Sequence, residues 1–296
     1  MHLTRTMVQL LLVLCLIASA PVGVLAQRAS ERRVANPGET QFDVQLLRPS
    51  GGPVVPIFEG WYRNADGTFE LSFGFFNVNT EETIEVPLGP DNFIEPAVFD
   101  GRQPTRFEPV PDQDRRHFGA FTVNVPADFG EGDVVWTIRS AGQTLSVPGR
   151  LTHVSYELAG SDFPGRTTVS PMVRLAEDGP FGRGPSGITG APLQARVGDA
   201  VDVGAWVARD VESGEDDRPI NIKWFKHQGP GEVTFDERTT SVEQLAWAAG
   251  EVKVATTVTF SEPGDYLLRM LVFNVTREFE FQCCWTNGYL PVTVAP

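Results

Sequence analysis

The 296-residue sequence predicts an all-β protein, with two antiparallel β-sandwich domains behind a cleaved leader. Three observations carry that expectation. Apolar side chains recur at every second position over many short runs, the period of a strand with one buried face. Those runs are separated by a chain unusually rich in turn formers, with 29 Gly and 23 Pro. The composition also favours strands over helical bundles, with 20 Phe and 6 Trp against only 3 Lys.

The first residues read as an address. Arg5 supplies a positive start, Met7 to Ser19 is mostly apolar, and Val24-Leu25-Ala26 offers a small residue at each position a signal peptidase reads. Residues 1–26 are therefore expected to be a signal peptide, cut after Ala26. The apolar run of 13 residues is short of the ~20 that span a bilayer. Leu14, not a small residue, precedes Cys15, which disfavours lipid attachment. No later stretch is apolar enough to span, so the expected location is secreted, periplasmic or extracellular. Residues 27–40 are polar, Arg-rich and aperiodic, and read as a disordered tail.

A first domain is expected over 41–158. Phe42, Val44 and Leu46 share one face of an opening strand. Ile57 to Arg63 and Thr68 to Asn77 form a hairpin through Asn64-Ala65-Asp66-Gly67, with Phe69, Leu71, Phe73 and Phe75 on one side. A short strand at Thr83 to Pro87 follows. His117 to Val125 places Phe121, Val123 and Val125 together, and Val134, Trp136 and Ile138 make the next inward face. Ser140 to Gln143 turns the chain, Leu145 and Val147 return, and Leu151 to Leu158 closes the domain. Gly89 to Asp114, rich in Pro and acid, reads as a loop or one short strand.

Gly160 to Pro192 marks the composition shift, with 7 Gly and 5 Pro in 33 residues. A linker is placed at 159–167 and a second domain at 168–296, opened by Pro171 to Leu175. Alternation is sharper here, through Val201 to Val207, Ile220 to Trp224, Val252 to Phe260, Tyr266 to Val272, and Trp285 to Val294. Thr240 to Ala249 is the one helix candidate, with Thr240 and Glu243 at capping-box spacing, or else a loop joining strands.

Three segments of the second domain carry a resemblance. They are Val197-Gly198-Asp199 before a strand, Trp224 within Ile-Lys-Trp-Phe-Lys, and Phe260-Ser-Glu-Pro-Gly-Asp-Tyr-Leu-Leu-Arg269. Together they are similar to immunoglobulin-like and PKD-type β-sandwiches. The resemblance implies that Trp224 is the core tryptophan of strand C and Tyr266 the tyrosine corner at the start of strand F. Leu268 stands where antibody domains have the second inter-sheet cysteine, so a core without a disulfide is implied. The whole layout, with Glu-Gly-Trp-Tyr early and Cys-Cys-Trp-Thr-Asn-Gly-Tyr late, resembles uncharacterised secreted bacterial two-domain proteins. That likeness implies architecture and compartment, not activity.

The cysteines left after the leader are the adjacent Cys283 and Cys284. Neighbours in a strand point to opposite faces, so a ring between them needs a local break. A vicinal disulfide, two unpaired thiols and a bridge to another chain stay open, ranked in that order. Neither a C-x-x-C redox motif nor zinc-ligand spacing is present.

The formal charge of −14 argues against a nucleic-acid binder. The sequence has no Gly-x-Ser-x-Gly elbow. Of the three histidines beyond the leader, His117, His153 and His227, the first reads as an exposed loop end entering a strand and the last as a strand exit. The 38 acidic residues make paired carboxylates unspecific. Asn64 to Gly67 holds a fragment of a calcium loop that a plain hairpin turn explains, and Glu212, Glu215, Asp216 and Asp217 read as a solvated acidic loop. Asn274-Val275-Thr276 fits a glycosylation sequon. Trp61, Tyr62, Trp285 and Tyr289 are candidates for a sugar-stacking platform, set against ordinary packing.

The expected function is therefore a secreted or envelope module without catalytic activity and without a cofactor, binding a glycan or protein partner. Two alternatives stand beside it. One is a hydrolase with paired carboxylates in an inter-domain groove; the other is a subunit of a larger surface assembly.

Overall fold

The computed structural model describes residues 48–109, 116–151, 156–158, 170–209, 219–243, 250–274 and 285–296. The leader, the tail, the strand over Phe42 to Leu46, the linker, His153, the 212–217 acidic cluster and the cysteine pair lie outside the described residues.

The chain is all-β. A 3₁₀ turn lies at Ala97–Phe99. The first sandwich runs β1 (Val54–Arg63), β2 (Phe69–Asn77), β3 (Ile84–Glu85), β4 (Asn92–Glu95), β5 (Arg106–Phe107), β6 (His117–Val125), β7 (Val134–Ser140) and β8 (Gln143–Gly149). One sheet has the order β1-β2-β6 and the other β4-β7-β8, all neighbours antiparallel. In lettered form these are A-B-E and C-F-G, an immunoglobulin-like arrangement. Phe69, Leu71, Phe73 and Phe75 of β2 point inward and meet Trp136 and Ile138 of β7 in one core. The β1–β2 turn follows from its residues. Gly67 takes φ +87°, and the Asp66 carboxylate accepts hydrogen bonds from the Thr68 amide at 3.0 Å and hydroxyl at 2.7 Å.

The second sandwich runs β9 (Met172–Arg174), β10 (Ile188–Thr189), β11 (Leu193–Arg196), β12 (Val201–Ala208), β13 (Ile220–Gln228), β14 (Val233–Phe235), β15 (Thr239–Val242), β16 (Glu251–Phe260), β17 (Gly264–Phe273) and β18 (Trp285–Ala295). One sheet reads β14-β16-β12-β9; the other reads β10-β18-β17-β13-β15, with β11 also on β18. These are D-E-B-A against A′-G-F-C-C′. The A′ pieces run parallel to β18, and all other pairs are antiparallel. Trp224 of β13 is 1 % exposed in the core between the sheets. Tyr266 of β17 packs on Phe260 and donates its hydroxyl to the Glu262 carbonyl at 2.8 Å.

Two segments differ from expectation. Gly89 to Asp114 holds two short strands, β4 and β5, and a 3₁₀ turn, not a loop with at most one strand. Side-chain amides fix it instead of apolar alternation. Asn92 donates to the Val86 and Pro104 carbonyls at 2.9 and 2.8 Å and accepts from the Trp136 indole at 3.0 Å. The start of the helix candidate, Thr240 to Val242, lies in β15, paired antiparallel with β13. An open ladder edge on β13 outweighs a local capping pattern there. Residues 244–249 of that candidate lie outside the described residues. Among the described residues no helix is long and apolar enough to cross a membrane.

Candidate functional site

Strand alternation sends every other side chain away from a core, and in a lone sandwich those outward positions would be wet. In three strands here they are buried. Glu70 and Ser72 of β2 are 6 % and 0 % exposed, Arg269 and Leu271 of β17 are 3 % and 4 %, and Asn287 of β18 is 0 %. Each sandwich covers the outward face of the other, and both belong to one compact unit.

The centre of this seam is Gly119 of β6. Its carbonyl accepts from Arg269 Nη1 at 2.9 Å and Asn287 Nδ2 at 2.8 Å, and its N–H donates to the Glu59 carboxylate at 2.8 Å. Glycine is required: φ is +54°, and a Cβ there would lie 2.1 Å from Trp285 Nε1. Glu59 sits at the β1 bulge between Phe58 and Gly60 and also accepts from Ser72 Oγ at 2.9 Å. Burial raises the Glu59 carboxyl above its ordinary range, and Arg116, 3.8 Å away, pulls the other way.

Further contacts cross the same seam. Tyr62 Oη accepts the Ser186 N–H at 3.0 Å, the Thr105 N–H donates to the His227 carbonyl at 2.8 Å, and Gln228 Nε2 donates to the Gln103 carbonyl at 2.7 Å. Lys226–Glu85 at 3.1 Å and Arg106–Glu232 at 2.9 Å add ion pairs. Backbone carbonyls and amides appear in most of these bonds, so the match is geometric and fixes one relative placement of the sandwiches.

Beside Gly119 the seam opens into a cavity of about 210 Å³. Four cations line it, Arg116, Lys223, Arg238 and Arg269, against one carboxylate, Glu108. Besides His117 and Thr239, the remaining wall is aromatic and aliphatic, including Phe118, Phe225, Leu271 and Phe273. The Arg269 and Arg238 guanidinium carbons lie 4.5 and 5.3 Å from the Phe225 ring centre, and Lys223 Nζ lies 5.4 Å from that of Phe273. Burial alone would raise the Glu108 carboxyl, but its ion pairs with Arg238 and Arg106 outweigh that and hold it below the ordinary value. His117 stacks on Phe75 at 4.5 Å, with Nε2 3.1 Å from the Glu108 carbonyl. Burial, helped by the Arg269 charge, lowers it to about 4, so near neutral pH Nε2 carries the proton and donates to that carbonyl. Chemically, the cavity offers positive charge and apolar surface. Its one carboxylate is ionised and engaged by two arginines.

The sequence-selected residues fall in several places. Tyr62, Trp285 and Tyr289 come together in the seam, while Trp61 packs on the first core, edge-on to Phe69 at 5.7 Å. Trp285 is 1 % exposed against Phe118, and Tyr62 is 8 % exposed, so neither shows a sugar a free ring face. Burial raises the Tyr289 phenol to about 12. His117 and His227 are not exposed strand ends: His117 meets Phe225 of the second sandwich, and His227 packs on Tyr289 with its Nε2 2.8 Å from the Arg102 carbonyl of the first. The Asp66 turn is a plain hairpin, and the described residues contain no group of three or more His, Cys, Asp or Glu placed to hold a metal. Asn274 of the sequon is 2 % exposed. The seam itself escaped sequence reading. Its strongest signal is Arg269, a lone cation inside the apolar run of β17, Tyr-Leu-Leu-Arg-Met-Leu-Val-Phe.

No family model and no curated protein matches the chain. Among solved structures, the chain is similar to the D00-D0 domain of intimin, at 12 % identity over 82 % of this chain and 100 % of that one, with a TM-score of 0.28. It is similar to domains 4 and 5 of the S-layer protein SbsC, at 12 % identity over 83 % and 98 % with a TM-score of 0.21. It is also similar to a PapD-like domain of human CEP192, at 8 % identity over 48 % and 97 % with a TM-score of 0.29. Such low TM-scores add nothing to the strand order already described; what the chain shows on its own is an all-β, immunoglobulin-like architecture.

Proposed function

We propose that the chain is a secreted or cell-envelope module without catalytic activity. In this reading its two sandwiches, with limits at 41–158 and 168–296 and the second of the PKD type, are held as one rigid body that presents loops and sheet edges to a glycan or protein partner. The observation that carries this reading is the seam. Buried polar contacts such as Arg269–Gly119–Asn287 hold the two bodies together, which suits a spacer or recognition scaffold. The leader at 1–26 supports export. The seam cavity offers one carboxylate, ionised between two arginines, where a glycosidase needs an acid and a base on opposite sides of the scissile bond.

The test pairs binding with turnover. The mature chain is passed over arrays of surface glycans and envelope proteins and incubated with chromogenic glycosides and esters. Retention on a specific partner with no product release is the expected result. Turnover that disappears in Glu108→Gln overturns the reading.

A further inference from the structure

A chain of net charge −14 places four cations and one carboxylate around a single cavity, and that inversion of sign needs a reason. Part of it is structural, because Arg238 pairs with Glu108 and Arg116 lies 3.8 Å from Glu59. Arg269 is different. It is 3 % exposed, its Nη1 donates to neutral oxygens of Gly119 and Asn287, and its buried Nε has no hydrogen-bond partner. A buried guanidinium held only by neutral oxygens is costly unless an anion balances its charge, and Arg269 lines the cavity. Glu59 and Glu108 act on Arg269 through space, and so does Tyr289. Apart from His117 and Thr239 the rest of the wall is apolar, which a bare hydrated ion such as phosphate would not use.

We propose that the seam cavity binds a small carboxylate carrying an aromatic or branched apolar body. The carboxylate lies among Arg269, Lys223 and Arg238, and the body lies against Phe118, Phe225 and Phe273. Size agrees: roughly 150 Å³ of apolar cavity accepts benzene, and about 210 Å³ leaves room for a short acid chain. The depressed His117, neutral near pH 7, keeps that wall from adding a further charge. The inference rests on the seam being fixed as proposed above. The chemistry has two sources, a free aryl-alkyl acid or the C-terminal residue of a peptide ending in Phe.

The test is calorimetry and ligand-observed NMR on the mature chain with 3-phenylpropionate, 3-phenylpropan-1-ol, inorganic phosphate and the peptide Ala-Ala-Phe. The acid should bind about tenfold or more tightly than the alcohol or phosphate, the margin of one charge-assisted hydrogen bond. Lys223→Gln should weaken it about tenfold and Glu108→Gln should tighten it, each variant first shown to melt as a folded chain. Tighter binding of Ala-Ala-Phe assigns the site to chain termini, and weaker binding assigns it to free acids; both support the shared chemistry. Equal affinity for acid and alcohol, no saturation by the acid at about 10 mM, or indifference to Lys223→Gln overturns it. Failure with intact seam contacts in the NMR spectrum condemns this inference alone, whereas a seam found open condemns the scaffold reading as well.

Discussion

The interior of the second sandwich is built mainly from aliphatic side chains, Val203, Val207, Ile220, Ile222, Val258, Leu268 and Val292 among them, around Trp224. The first sandwich packs rings. Phe73 stacks on Phe121 at 5.2 Å, Phe121 meets Trp136 edge-on at 4.9 Å, and Phe107 lies 6.3 Å from the same indole. It also buries amides. Asn92, Gln103 and Asn77 are fully buried, and Asn92 joins two backbone carbonyls to the Trp136 indole. Both sandwiches share the A-B-E and C-F-G core orders, yet the second core is closed mainly by buried area. The first adds a buried set of amide hydrogen bonds to its rings. Area tolerates small errors; an incomplete buried network does not.

That contrast can be broken by mutation. Trp224→Ala should cost about 3–5 kcal/mol in denaturant unfolding, because it removes the largest side chain of an area-driven core; a loss below about 1 kcal/mol would show that the second core does not depend on it. Asn92→Ala should cost roughly 3 kcal/mol despite deleting few atoms, since two carbonyls and one indole N–H are left buried without partners. If Asn92→Ala costs no more than an ordinary surface change, the two cores close by the same physics.

The seam sharpens the comparison, because unlike either core it titrates. His227 is lowered to about 3 and His117 to about 4, burial being the main cause and the Arg269 charge the next. Above the unfolded value near 6.5 both are neutral in either state and contribute nothing to pH dependence. Between 6.5 and the folded values the unfolded chain binds more protons, so stability falls as acid is added. Each histidine should cost roughly 2 kcal/mol by pH 5. Glu59, whose carboxyl is raised, gives the opposite sign and gains stability as pH falls through its folded value. Thermal melts from pH 7 to pH 5 should therefore flatten in His117→Gln, and an unchanged slope would place that ring in water. The smallest effect belongs to Tyr266→Phe, which loses the bond to the Glu262 carbonyl and about 1 kcal/mol by chemical denaturation.

Legibility in the sequence followed the same division. The aliphatic strands of the second sandwich could be read from alternation, and β12, β16, β17 and β18 stand where it runs. In the first sandwich β6 and β7 could be read likewise, but β4 and β5 could not, because Asn92 and Gln103 hold that segment by bonds that leave no period. The seam was the least legible. An outward Ser72 or Glu70 looks in sequence like any solvent-facing residue, and only the partner face, contributed from far along the chain, makes it buried; Arg269, alone among the apolar residues of β17, is the one seam residue whose setting stands out. Gly119 shows the limit most sharply: its need for glycine comes from the Trp285 indole, remote in sequence.

The joined outward faces are the claim on which the rest depends, and residual dipolar couplings measured on the mature chain in one alignment medium test it most directly. Couplings from β2 and β6 and couplings from β13, β17 and β18 should report the same alignment tensor, in magnitude and orientation. Two tensors of different magnitude would mean that the sandwiches move independently and that the seam does not hold in solution.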